Sequence, residues 1–431
     1  MKTTVQVALM FCFLFCSTAF SGNLPENRVL SIDQWQEDVR FLVDHLLETH
    51  PNPFFASAHD EFTDSVDSLL DGLADMSDDD IVVELMRITS RLKDGHTRLH
   101  GRHLTKSWFP VRMYEFEDGI FITAIHEDYA DAIGSKVITI GNFSAEESLG
   151  RIKDIAAHDN EHSLKYSAPM YLTMTSIMNG LDIVDDPNCL KMTIEKEGQS
   201  SELILPANAY ESDNDFKWYW MFNSVPAEKF VRHIDHVKIP LVYRNLERFY
   251  WFEYLEKEHT VYMCFNLCDD STDENFLVFN TRLWKFIESS QAKRLIIDLR
   301  NNIGGNNQIL LPLIHETIMH KDINTRENLH VIIGRKTWSA SMHCATWFER
   351  HTNAAFIGEP TASAPNHYAD PVSFTLPNSK IELLVSRYYW QNGWPWDERI
   401  CIEPEIFVKL HSHEYFGCRD PVLEILLENM K

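Results

Sequence analysis

Two strand–turn–helix units constrain this chain more than any other stretch. Residues 294–305 read RLIIDLRNNIGG. Leu295, Ile296 and Ile297 form a short apolar run of the kind found in strands buried on both faces. An Asn-Asn turn with paired Gly304 and Gly305 ends the run, and Ile309, Leu310, Leu313 and Ile314 predict a helix beyond it. Residues 329–342 repeat the plan: a strand over Leu329–Ile333, a short turn, and a helix that begins at Ser339. Strands alternating with helices in this way predict an α/β core built on a parallel sheet.

The two turns bear on chemistry. A serine at a helix N-terminus has free backbone N–H groups and the positive end of the helix dipole beside it. A Gly-Gly turn bares N–H groups with no side chain in the way. Together they can form a nucleophile and an oxyanion hole for acyl transfer. The plainer alternative is that Ser339 is an ordinary N-cap and Gly304-Gly305 an ordinary tight turn.

Charge narrows the partners. The 431 residues carry 64 acidic against 39 basic side chains, a net charge of −25, so a nucleic-acid partner is not expected. Hydrophobic residues make up 44 %, enough for a packed core. Lys2, the apolar run Val7–Phe15 and the small-x-small site Ala19-Phe20-Ser21 predict an export signal over residues 1–21, cleaved near Ser21. That run is too short to span a bilayer, and no later stretch is long and apolar enough to do so. Beyond it lie Cys189, Cys264, Cys268, Cys344, Cys401 and Cys418. Their irregular spacing leaves bridges and free buried thiols both open.

Residues 22–105 predict a helical domain. Trp35, Val39, Leu42 and Leu46 mark one helix, Phe62, Val66, Leu69 and Leu73 a second, and Ile81, Leu85, Ile88 and Leu92 a third that opens at Ser77-Asp78-Asp79-Asp80. The third ends in Asp94-Gly95-His96-Thr97, where His96 is either a general base or a solvated turn residue. Residues 106–150 predict a small β unit with a turn at Asp118-Gly119, and residues 151–255 a helical, aromatic-rich connection that includes Trp218–Phe222. Residues 256–431 form the α/β core, with a hairpin turning at Pro377-Asn378-Ser379. His315, Glu316 and His320 have one residue too many for a zinc-protease helix, and no metal or cofactor is expected.

Taken as a set, Asp94-Gly95-His96-Thr97, Ile297–Asn302 with Gly304-Gly305, Thr337-Trp338-Ser339-Ala340, Gly358-Glu359-Pro360-Thr361 and Ile402–Ile406 resemble the C-terminal-processing (tail-specific) serine peptidases and their tricorn-like relatives. The resemblance implies a crotonase-like (ClpP-like) core and a degenerate PDZ-like segment at 106–150. Ser339 would be the nucleophile, with Ala340 and Gly304 or Gly305 as oxyanion donors. Tail-specific members carry a base lysine about two dozen residues after the serine, but Thr361–His367 holds none. The tricorn-like pattern instead implies His96 as base, oriented by Glu398 or its neighbour Asp397. A polypeptide substrate and an exported enzyme follow. The family resemblance also includes lipid-carrying modules, so a non-enzymatic binder with a pocket lined by the aromatics near Trp218 and Tyr388–Trp390 is the alternative.

Overall fold

The structure, a computed structural model, describes residues 29–100, 104–105, 107–209, 229–233 and 239–429. The leader over residues 1–21 and the aromatic stretch Trp218–Phe222 lie outside the described residues.

A six-stranded sheet carries both constraining units. Its strands run in chain order: Tyr250–Leu255, Thr260–Phe265, Arg294–Asp298, Leu329–Ile333, Ala355–Gly358 and Ile406–Phe407. The first pair is antiparallel and every later pair parallel. Thr260–Phe265 is buried along its whole length, which explains its unbroken apolar run. Helices Phe276–Ser289, Leu311–Met319 and Ala340–His351 connect successive strands and bury Phe279, Leu283, Leu313, Met342, Cys344 and Phe348. Arg300, at the end of Arg294–Asp298, forms ion pairs with Asp298 at 2.6 Å and Asp420 at 2.8 Å, tying the sheet to the helix Pro421–Asn429.

The helical leader forms as its periodicity predicts. Ser31 caps Ile32–Thr49 and Ser77 caps Asp78–Ser90, each through a reciprocal capping box. Trp35, Val39, Leu42, Leu46, Ile81, Leu85 and Ile88 are all buried. Asp38, fully buried on the first helix, accepts the backbone N–H groups of Asn378 and Ser379 at 2.8 Å each, so the leader is pinned to the 377–379 turn. That turn joins Asn366–Thr375 to Glu382–Gln391, and Arg98–His100 adds a third strand to the hairpin.

The second β unit is larger than residues 106–150. Val111–Phe116, Gly119–His126 and Lys136–Ile140 continue through Cys189–Lys196 and Gln199–Pro206 into one seven-stranded sheet. Leu190, Met192 and Ile194 alternate with exposed or half-buried residues, the period-two signature of a strand with one covered face. The helices Ala145–Ile155, Glu161–Tyr171 and Thr175–Gly180 lie in chain order between its strands. All six described cysteines are free.

Candidate active site

Adjacent parallel strands put the two turns side by side. Arg294–Asp298 and Leu329–Ile333 are paired in register, so the segments leaving their C-terminal ends emerge at the same edge of the sheet. The approach is close at Gly304. A β-carbon there would lie 2.6 Å from Ser339 Cβ, 2.8 Å from Ala340 N and 2.9 Å from Trp338 O, and φ is +108°. Asn302, fully buried, joins the loops: its carbonyl accepts the Ser341 hydroxyl at 2.6 Å, and its side-chain oxygen accepts the Gly304 N–H at 2.9 Å.

Ser339 stands at the N-cap of Ala340–His351 but does not cap it. Its φ of +56° and ψ of −127° are unusual for a residue with a side chain, and its hydroxyl makes no capping bond. The Ser341 hydroxyl, inside the first turn, reaches back instead and accepts the Trp338 N–H at 2.8 Å. Among the described residues the N–H groups of Gly305 and Ala340 have no hydrogen-bond partner. The Gly304 N–H, committed to Asn302, is not free to donate to a substrate. Of the N–H groups expected to serve as oxyanion donors, at Gly304, Gly305 and Ala340, only the last two are unbonded among the described residues.

His96 is carried by the turn between helix Asp78–Ser90 and strand Arg98–His100. Its ring stacks on Trp338, the residue before Ser339, with centroids 3.8 Å apart and planes 14° apart. It is 4 % exposed, and neither ring nitrogen has a hydrogen-bond partner among the described residues. His96 thus stacks on the residue before Ser339 without a hydrogen bond to its hydroxyl.

Asp94 lies near the Nδ1 atom of the ring. Its Oδ1 accepts the His96 backbone N–H at 2.9 Å and lies 4.0 Å from Nδ1. Its Oδ2 is held by His50 at 3.2 Å and by the Thr97 hydroxyl at 2.6 Å. Thr97 in turn accepts the Ser386 N–H at 3.0 Å, which anchors the turn to the hairpin. Burial pushes the Asp94 carboxyl up, but the His50 hydrogen bond, the charge of His96 and the Ser386 and Thr97 hydrogen bonds outweigh it and hold it below the usual aspartate range.

The structure does not bring Glu398 to His96. Glu398 is exposed, and its neighbour Asp397 is engaged by Arg399 at 2.7 Å. Asn366 accounts for this: its side chain binds the carbonyls of Trp394 and Asp397 and the N–H of Gly393, fastening that segment away from the ring. Asp94, two residues from His96, is the carboxylate at hand. Residue reading also missed His367 and His343. The His367 ring lies 5.9 Å from His96 and 5.3 Å from His343, in the very stretch where tail-specific members place a lysine. A polar residue there was the available signal. Among the described residues Asp94, His96 and Asp159 form a group spaced to hold a cation, with one ligand atom of each within 4.8 Å of the others.

Burial is the main force on these rings. It drives His96 well below the ordinary histidine range; Asp94 opposes it, while His367, Arg98 and His343 add to it. His367 is lowered, His343 falls to about 3, and His100 and His330 to about 4. Each neutral ring belongs to the folded state, while the unfolded chain takes up protons below about 6.5. Their contribution to stability is complete above that pH and is lost as pH falls towards 4. Asp159, pushed up to about 7 by burial and Asp94, works in the opposite sense between about pH 7 and 4. The histidines outnumber it, so the urea midpoint is expected to drop between pH 7 and 5. A midpoint that rises on acidification would contradict this.

No family model matches the chain, and no curated protein matches it. Solved structures do. A CPAF mutant superposes with a TM-score of 0.65 at 12 % identity, covering 93 % of this chain and 97 % of that one. Mature CPAF gives 0.64 at 12 % identity over 92 % and 97 %, and its complex with lactacystin 0.62 at 12 % over 93 % and 98 %. At such identity the likeness is one of fold.

Proposed function

We propose that this chain is a serine peptidase of the tail-specific, tricorn-like kind. Its crotonase-like core would span residues 256–431, and the sheet around Val111–Ile140 would occupy the PDZ-like place. The observation that carries the proposal is Ser339 itself. It sits in a strained conformation at a helix N-terminus, with its hydroxyl kept out of the cap and two unpartnered backbone N–H groups nearby. In the reaction His96 takes the Ser339 proton as Oγ attacks a peptide carbonyl carbon. Gly305 and Ala340 donate to the oxyanion, and the imidazolium, with Asp94 near it, returns its proton to the leaving amine. Water then repeats the sequence on the acyl-enzyme. The basic-then-apolar leader supports an exported enzyme, and among the described residues no helix is long and apolar enough to cross a membrane.

The binder alternative gains nothing from the geometry. Tyr388 and Tyr389 are about half exposed on the hairpin. A partly enclosed cavity of about 70 Å³, rimmed by Arg300, Arg335, Glu359 and Asp420, is too small for a lipid chain. The direct test is covalent: a fluorophosphonate probe is expected to label wild-type protein at Ser339 and to leave a folded Ser339→Ala variant unlabelled. Wild-type protein that is folded and inert to the probe would overturn the proposal.

A further inference from the structure

We propose that Asp159 is a positioning residue that clamps the loop of the base to the loop of the nucleophile. One carboxylate oxygen accepts the Gly95 N–H at 2.8 Å, and the other accepts the Trp338 indole N–H at 2.6 Å. Gly95 immediately precedes His96, and Trp338 immediately precedes Ser339. Between the two hydrogen bonds the Trp338 indole lies flat on the His96 ring, so the carboxylate holds both faces of that stack in place.

The neighbouring residues fit this role. A β-carbon on Gly95 would come within 3.2 Å of Asp159 Oδ2, so the bare glycine lets the carboxylate approach. Asn160 caps the helix Glu161–Tyr171 and donates to the carbonyls of Thr361 at 3.1 Å and Ile400 at 2.7 Å. His158, on the other side, contacts Lys93 Nζ at 3.1 Å. Through Asn160 one flank of the clamp is fixed to segments outside the two loops it joins, while His158 adds a second tie to the loop of His96. The clamp is complete with the carboxyl ionised, above its pKa of about 7, where it offers two acceptor oxygens and no donor, whereas an asparagine offers one oxygen and would turn an N–H on one of the two donors.

The catalytic part rests on the Ser339–His96 reading, but the clamp can be tested separately. In Asp159→Asn the maximal rate of fluorophosphonate labelling is expected to fall about 100-fold, the scale for a misplacement near 1 Å, with little change in the probe concentration at half-saturation. Trp338→Phe removes one donor, so Asp159→Asn on that background is expected to lose much less than on wild type. The indole N–H proton of Trp338 in the NMR spectrum is expected to lie downfield in wild type and to move upfield in Asp159→Asn. An unmoved indole resonance would overturn the clamp whatever the activity. A moved resonance with unchanged labelling would overturn its catalytic role. Losses that multiply independently in the double variant would likewise reduce Asp159 to a structural residue. If Asp159→Asn does not fold, Trp338→Phe carries the test alone, and labelling at the wild-type maximal rate would overturn the proposal. A serine that never labels, together with an intact indole shift, would remove the Ser339–His96 reading and leave the clamp standing.

Discussion

Replacing His96 with alanine is expected to slow acylation of Ser339 by about 10⁴-fold, the upper range for loss of a positioned base. A serine hydroxyl is a poor nucleophile until its proton has somewhere to go. His96 is buried, stacked one residue from Ser339, and has both ring nitrogens unpartnered. A buried polar ring without partners costs stability, so its retention calls for a reason. His367 is the competitor. Its Nδ1 contacts the Ala364 carbonyl at 2.9 Å, which leaves Nε2 as its only unpartnered nitrogen. That nitrogen could accept a proton, but it is His96 that stacks on the residue before Ser339, with the His367 ring 5.9 Å from that of His96, so His367→Ala is expected to cost less than tenfold. Glu398→Gln, at an exposed position, is expected to leave the rate within twofold. Second-order labelling rates on the three variants decide the matter. A collapse with His367→Ala and not with His96→Ala would transfer the base to the hairpin, and a collapse with Glu398→Gln would require a rearranged site.

What the sequence made legible follows from the range of each signal. The leader helices are periodic over three or four turns, so Trp35, Val39, Leu42 and Leu46 announce a buried face without outside help. Ser339, Gly304 and Gly305 stand out because turns need special residues whatever packs around them. The strands Cys189–Lys196 and Gln199–Pro206 carried a readable alternation around Glu197-Gly198, but the adjoining helical stretches masked it and the β unit appeared to stop at residue 150. Asp159 was invisible for a different reason. Its two partners lie 64 and 179 residues away, and nothing local distinguishes a clamp from a solvated aspartate. Glu398 was placed by resemblance alone, and resemblance transmits a role more reliably than the residue that fills it. In this chain a carboxylate near His96 comes from the same turn, at Asp94, 4.0 Å from Nδ1.

Gly304→Ala is expected to disable the site through the backbone. The new methyl would fall 2.6 Å from Ser339 Cβ, 2.8 Å from Ala340 N and 2.9 Å from Trp338 O, contacts that no flexible side chain can relieve. The added strain comes at φ +108°, where a residue with a β-carbon is already disfavoured. Overpacking and backbone strain together are expected to cost roughly 2–5 kcal/mol. Any relief must move the loop of Ser339, so labelling is expected to fall at least about 100-fold in whatever protein remains folded. Gly198→Ala separates the two effects. Gly198 also has positive φ, at +75°, but nothing lies within 4 Å of its missing β-carbon. That variant is expected to lose about 1 kcal/mol in urea unfolding and none of its labelling rate. Equal losses in the two variants would mean that conformational strain alone matters at residue 304. A Gly304→Ala protein that folds and labels at the wild-type rate would mean that the two loops do not meet as closely as this geometry places them, and the Gly305–Ala340 oxyanion hole would fall with it.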